Sequence, residues 1–263
     1  MTTQEPPPYG QPPPTGQDRL KKALAPLVAV GATVAKFGAV IYKLKVFTVV
    51  GSMLVSLGAY AWLYGWKFAL GLVLLLLVHE LGHVVLLRAR GIEAGLPVFL
   101  PFMGAFVTMK STPKSAYDEA LSGIAGPVFG TVGAFAALGL SEIYSSELLR
   151  VVAYVGFFLN LFNLMPVLPL DGGRTVAALS PKLWLVGLVG LLAYEVYRPS
   201  PVIPIILLIG GFELYRRWKG KDSPESRLYF ALTAQQRLNI GGGYLALVGT
   251  LLWAMHSYPL PPR

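Results

Sequence analysis

The sequence predicts an all-α polytopic membrane protein with about six to seven transmembrane helices and a small membrane-embedded β-hairpin. Of its 263 residues, 54% are hydrophobic and only 13% are charged. A soluble domain of this length needs more charged side chains to cover its surface. Long apolar runs alternate with short basic segments, as in multi-spanning proteins. A soluble protein with an unusually apolar core is the less favoured interpretation.

The N-terminal part is expected to lie outside the membrane core. Residues 1–19 are rich in Pro, Gly and Gln and predict a disordered cytoplasmic tail. Residues 20–45 are apolar but are interrupted by Pro26 and Lys36, which favours an interfacial amphipathic segment over a span. Because no apolar core stands at the start, we expect insertion through uncleaved helices.

The spans are predicted from apolar stretches long enough, or nearly long enough, to cross a bilayer. These are residues 46–65, 68–88, 120–140, 148–170, 183–197, 201–216 and 240–257. The fifth and sixth are short, and a single re-entrant pair is the alternative. In the seven-span arrangement, eighteen of the 22 lysines and arginines lie on the side of the N-terminus. The positive-inside rule therefore places the N-terminus in the cytoplasm.

The chain thus divides into a core, residues 46–180, and a region of additional transmembrane helices with a basic cytoplasmic loop, residues 181–263. Within the core, residues 91–117 do not look helical, because prolines and glycines interrupt them and β-branched and aromatic residues are frequent. We predict a hairpin sheltered by protein at membrane depth. An amphipathic loop on the inner surface is the alternative.

The motif that indicates catalysis is HELGH, formed by His79, Glu80 and His83 within an apolar run. Residues i and i+4 share one face of a helix, so both imidazoles can bind one zinc ion, with Glu80 beside it. The alternative is that each histidine bonds a backbone carbonyl. Ionisable groups in an apolar span cost a few kcal/mol each and are usually paired, metal-bound or functional, which favours the metal site.

A catalytic zinc site normally has three protein ligands. The chain has no cysteine, so the third ligand must be a histidine or a carboxylate. Asp171 follows an apolar run that Pro166 and Pro169 interrupt, which frees backbone groups that only a protein-lined, hydrated cavity can satisfy. We therefore predict Asp171 as the third ligand, and a helix N-cap in an Asp-Gly turn is the alternative.

HELGH together with NLMPVLPLDGG resembles the site-2 protease family, the intramembrane zinc metalloproteases of peptidase family M50. PFMGAFV and AGPVFG also resemble segments of that family, and the similarity covers roughly residues 45–180. The resemblance implies one Zn²⁺ per chain, held by His79, His83 and Asp171. It also implies that Glu80 is the catalytic base.

The resemblance implies two further sets of site residues. Asn163 is expected to position the substrate or to stabilise the oxyanion. The hairpin is expected to bind an unwound substrate as an added strand, with Gly104, Ala105 and Phe106 as substrate-binding residues. One departure is that many members read G-P-x-x-N, whereas this chain has a glycine in place of the asparagine, at position 130.

The predicted function is therefore that of an intramembrane zinc metalloendopeptidase acting on transmembrane protein substrates. We expect a multi-pass protein of a prokaryotic cell membrane, with its active site toward the cytoplasm. The partners predicted are the substrate, the lipid bilayer and possible further copies of the chain. The net charge of +9 follows the topology and does not indicate nucleic acid. A metal or proton transporter and a catalytically silent scaffold are the alternatives.

Overall fold

The structure is a computed structural model that describes residues 47–102, 104–180, 182–200, 202–220 and 223–260. The predicted tail, residues 1–19, and the predicted interfacial segment, residues 20–45, lie outside the described residues.

The described chain is mostly helical with one small sheet, as predicted. The helices are α1 Phe47–Tyr64, α2 Trp66–Ala89, α3 Ala116–Ile143, α4 Glu147–Asn163, α5 Asp171–Ala177, α6 Leu183–Tyr197, α7 Ile203–Gly220, α8 Pro224–Tyr229 and α9 Ala234–Ser257, and the strands are β1 Val98–Leu100 and β2 Gly104–Phe106. In this part of the chain, four helices, α1, α2, α3 and α9, are long and apolar enough to cross a membrane. This supports a multi-pass membrane protein, whereas a total of six or seven spans stays a prediction.

Several predicted spans differ in their bounds from the helices found; for example, α9 begins at Ala234 and not at residue 240. The stretch 148–170 gives a helix of only 17 residues, α4, because residues 164–170 form turns around Pro166 and Pro169. The stretch 201–216 gives α7, which extends to Gly220 and carries charged residues in its second half. The basic loop contains the short helix α8.

The predicted hairpin is found as a two-stranded sheet, and its position at membrane depth stays a prediction. Strands β1 and β2 pair antiparallel, with Phe99 opposite Ala105. A further bridge joins Ala94 to Met109. The backbone N–H of Phe99 donates to Ser52 Oγ of α1 at 3.2 Å, so α1 lies along the outer edge of β1.

Helices α2, α3 and α4 form the centre of the fold. Small residues allow their close approach: a Cβ added at Gly156 of α4 would lie 2.7 Å from Leu75 Cδ1 and 3.0 Å from Ala134 Cβ. Ser115 caps α3, and its hydroxyl accepts from the backbone N–H of Asp118. Phe157 of α4 is fully buried in the hydrophobic cluster that these helices share. Helix α4 therefore presents a well-packed face to α2 and α3.

Helix α5 is short but is held in place by its surroundings. Trp184 of α6 is buried, and its indole N–H donates to the carbonyl oxygen of Gly173 at 2.7 Å. The hydroxyl of Tyr244 in α9 donates to the carbonyl oxygen of Leu164, in the turn before α5. These contacts fix the start of α5, which is Asp171.

Candidate metal centre

Three side chains from two helices meet at one point. His79 and His83 lie one turn apart on the buried face of α2, and Asp171 begins α5. The Nε2 atoms of the two histidines are 3.2 Å apart, and Asp171 Oδ2 lies 3.0 Å from His79 Nε2 and 3.2 Å from His83 Nε2. These three residues form a group able to hold a metal ion.

The arrangement fits a zinc ion. His83 Nδ1 donates to the carbonyl oxygen of Ser122 at 2.7 Å, because a carbonyl oxygen can only accept. The same imidazole therefore directs the lone pair of Nε2 toward the cluster. A tetrahedral ion bound at ~2.0–2.1 Å holds its ligand atoms about 3.4 Å apart. The distances of 3.0 and 3.2 Å between the three atoms are close to that value.

Asp171 supplies the oxygen atom of this group. Its Oδ2 lies within 3.2 Å of both Nε2 atoms, and only 13% of its side chain is exposed. Two imidazole nitrogens and one carboxylate oxygen are a donor set that suits zinc.

Helix α3 closes one side of the centre with small residues. A Cβ added at Gly126 would lie 2.7 Å from His79 Nε2 and closer still to His83 Nε2. One added at Gly123 would lie 2.7 Å from the carbonyl oxygen of Asp171. Gly126 therefore gives the two nitrogens the space that a third ligand and an ion need.

A cavity of about 240 Å³ opens onto the centre. Its lining includes the three candidate ligands together with Glu80, Asn163, Arg174, Ala105 and Phe106. Glu80 is buried, with only 4% of its surface exposed. The structure thus brings together the predicted ligands, the predicted base and two of the three predicted hairpin residues. Gly104 is not among the lining residues.

One contact residue was absent from the sequence prediction. Asn160 is buried on α4, and its Oδ1 lies 2.8 Å from His79 Nδ1. Asn163, one turn later, lines the cavity instead. The sequence contained one indication of this residue. Asn160 follows Gly156 by four residues and Phe157 by three, so its polar amide lies on the face that the apolar pattern of α4 buries.

Comparison with known proteins relates part of this site to a known family. Residues 67–146, from the start of α2 to the end of α3, match the model of peptidase family M50. Over this segment, which contains His79, Glu80 and His83, the chain is similar to family M50. The match confirms the resemblance to the site-2 protease family that the two motifs indicated. Asp171 and Asn163 lie beyond the matched residues.

Three relatives illustrate the similarity. The Rip3 protein of Mycobacterium tuberculosis is 37% identical over 125 residues, 44% of this chain and 32% of Rip3. The zinc metalloprotease MJ0392 of Methanocaldococcus jannaschii is 31% identical over 110 residues, 40% of this chain and 32% of MJ0392. Stage IV sporulation protein FB of Bacillus subtilis is 30% identical over 118 residues, 44% of this chain and 41% of that protein. The chain spans about a third of the length of the first two.

Proposed function

We propose that this chain is an intramembrane zinc metalloendopeptidase that cleaves transmembrane segments of protein substrates. The observation that carries the proposal is the meeting of two histidine Nε2 atoms and one carboxylate oxygen beside Glu80, inside an apolar helix. The family M50 match and the name of MJ0392 support a zinc-dependent protease. Buried ionisable groups in a span are rarely without function.

His79, His83 and Asp171 would hold one Zn²⁺. When bound there, zinc supplies Lewis acidity, which polarises a peptide carbonyl and makes a water molecule more acidic. Glu80 acts as the general base, takes a proton from the attacking water and passes that proton to the departing amine. Asn163 lines the same cavity and offers an amide N–H to the carbonyl oxygen of the substrate.

The hairpin suggests how a substrate strand binds. In an antiparallel pair, backbone groups alternate between facing the partner strand and facing away from it. Phe99 turns its N–H away from β2 toward Ser52, so the opposite residue, Ala105, also directs its N–H and C=O away from β1. The outer edge of β2 at Ala105 therefore faces the cavity side, while α1 lies along the edge of β1.

Strand addition at β2 would offset the cost of opening a transmembrane helix. The peptide bonds of a helix are protected by their own hydrogen bonds, so a substrate must unwind before it is cut. An unwound segment beside Ala105 regains two main-chain hydrogen bonds next to the centre. Phe106 follows Ala105 on β2, and its exposed side chain lines the same cavity. We propose that substrates bind along this edge.

We also propose that the active site opens toward the cytoplasm. Arg174 lines the cavity, while Arg88 and Lys110 line a second, more open pocket. Basic residues at the ends of spans are typical of the cytoplasmic side. Water for the reaction would enter from that side.

Substitution of Glu80 tests the proposed function. In a purified, zinc-loaded protein with a transmembrane substrate, we expect Glu80→Gln to lower the cleavage rate by about 10²–10⁴-fold, because the base is lost. Zinc content should stay at one per chain. Glu147→Gln is the matched control, since Glu147 is exposed in the first turn of α4, and its cleavage rate should equal that of the wild type. If the zinc-loaded Glu80→Gln protein cleaves at the wild-type rate, the mechanism is wrong. Zinc binding without cleavage by the wild type would favour a transporter.

A further inference from the structure

A buried amide lies directly behind one of the metal ligands. Asn160 is only 4% exposed, and its Oδ1 is 2.8 Å from His79 Nδ1, the ring nitrogen opposite the metal centre. Its Nδ2 donates to the carbonyl oxygen of Gly156 at 2.7 Å. Both ends of the amide are therefore engaged within the core.

The two contacts fix the direction of the amide. If it were flipped, Oδ1 would face the carbonyl oxygen of Gly156, and two acceptors would meet in a buried place. Oδ1 therefore faces His79, and His79 Nδ1 must carry the hydrogen. The lone pair of Nε2 is then directed at the centre, as a metal ligand requires.

The two histidines differ in what holds them. The Nδ1 atom of His83 donates to a backbone carbonyl, that of Ser122, which no side-chain substitution removes. His79 depends on a side chain from another helix, α4. This makes its orientation sensitive to a single substitution.

Space for that side chain comes from Gly130 of α3. A Cβ added there would lie 2.7 Å from Asn160 Nδ2, 2.8 Å from Asn160 Cγ and closer still to Oδ1. The three nearest atoms all belong to the amide group. A methyl group at position 130 would therefore displace the amide directly.

We infer that Asn160 is a positioning residue that fixes the tautomer and direction of His79, and that Gly130 provides the space for it. The inference rests on the proposed zinc site. It adds that Asn160 contributes to the zinc affinity of this site. Partners of metal-bound histidines typically contribute 10–100-fold to metal affinity.

Zinc affinity, measured on the full chain in detergent by competition with a chromophoric chelator, tests the inference. We expect Asn160→Ala to bind zinc about 10–100-fold more weakly than the wild type. Asn160→Asp keeps an oxygen acceptor for His79 Nδ1, so it should bind zinc clearly more tightly than Asn160→Ala. A residue that only fills space would not give this rescue.

A double-mutant cycle tests the role of Gly130. Gly130→Ala should weaken zinc binding in the wild-type background and have no further effect in the Asn160→Ala background, because the displaced amide is then already absent. Gly133→Ala is the matched control on α3, since a Cβ there would meet only apolar atoms of Val78 and Leu75, at 3.2 and 3.3 Å. Its zinc affinity should equal that of the wild type.

The outcomes separate this inference from the proposed function. A wild-type protein that binds no zinc overturns the proposed function. A wild type that binds zinc, with Asn160→Ala binding equally well, overturns the role of Asn160 alone. The role is also overturned if Asn160→Asp binds as weakly as Asn160→Ala, or if Gly130→Ala weakens binding equally in both backgrounds. The melting temperature of each metal-free variant is measured alongside, and if Asn160→Ala does not fold, Asn160→Asp and Gly130→Ala decide the question.

Discussion

The helices around the candidate metal centre differ from those at the periphery, although all four are apolar enough to cross a membrane. In the most apolar windows of α2 and α3, 56% and 50% of the residues are buried, compared with 11% in α1 and 17% in α9. A lipid-facing helix only needs an apolar surface, whereas a helix that holds a reactive group needs fixed neighbours. The difference shows that close packing is concentrated where the candidate ligands lie.

Three glycines illustrate the same difference in packing. Gly82 of α2 faces α3, where an added Cβ would lie 2.5 Å from the carbonyl oxygen of Ala125 and 2.8 Å from Phe129 Cβ. Gly58 of α1 and Gly190 of α6 have no neighbouring atom within 4 Å of an added Cβ. Gly82 therefore lets α2 and α3 approach, while Gly58 and Gly190 carry no packing constraint.

The largest effect is expected from adding one methyl group inside the centre. Gly126→Ala places a carbon against both histidine Nε2 atoms, so zinc content should fall from one per chain to near zero. Gly190→Ala adds the same methyl group to an open helix surface and should leave zinc content unchanged while raising the melting temperature slightly, because alanine favours helix by up to about 1 kcal/mol. Metal analysis of the purified variants gives both values. Full zinc in Gly126→Ala would show that the centre is more open than described.

A smaller effect is expected from deleting one aromatic ring. Phe157→Ala removes a fully buried ring and should destabilise the fold by roughly 2 kcal/mol, less than the ~3–5 kcal/mol of soluble cores because lipid is as apolar as the protein interior. Phe212→Ala removes a ring that is 67% exposed on α7 and should change stability by less than about 0.5 kcal/mol. Thermal unfolding in one detergent compares the two. Equal destabilisation would contradict the division into inner and outer helices.

The sequence predicted those parts of the fold that depend on local patterns. The two histidines share a helix face because i and i+4 always do, and the hairpin follows from prolines and glycines in an apolar run. The predicted stretch 183–197 matches α6 at both ends. The prolines at 166 and 169 predicted an interruption, which the structure places after Asn163.

What the sequence did not predict depends on contacts between distant segments. Asn160 and Asn163 are three residues apart, and only the rotation of α4 against α2 decides that Asn160 meets His79 while Asn163 faces the cavity. Likewise, the motif showed that position 130 is a glycine, but only the packing shows that its missing side chain leaves room for an amide from α4. The number of spans is uncertain from sequence for a similar reason, because α6 and α7 lie at the limit of length and charge.

The most direct test is the zinc content of Asp171→Ala, because Asp171 is the one proposed ligand outside the HELGH helix. Glu142→Ala, which removes an exposed carboxylate, is the control. We predict one zinc per chain in the wild type and in Glu142→Ala, and far less than one in Asp171→Ala. One tightly bound zinc per chain in Asp171→Ala would contradict the central claim that α2 and α5 together form the metal centre.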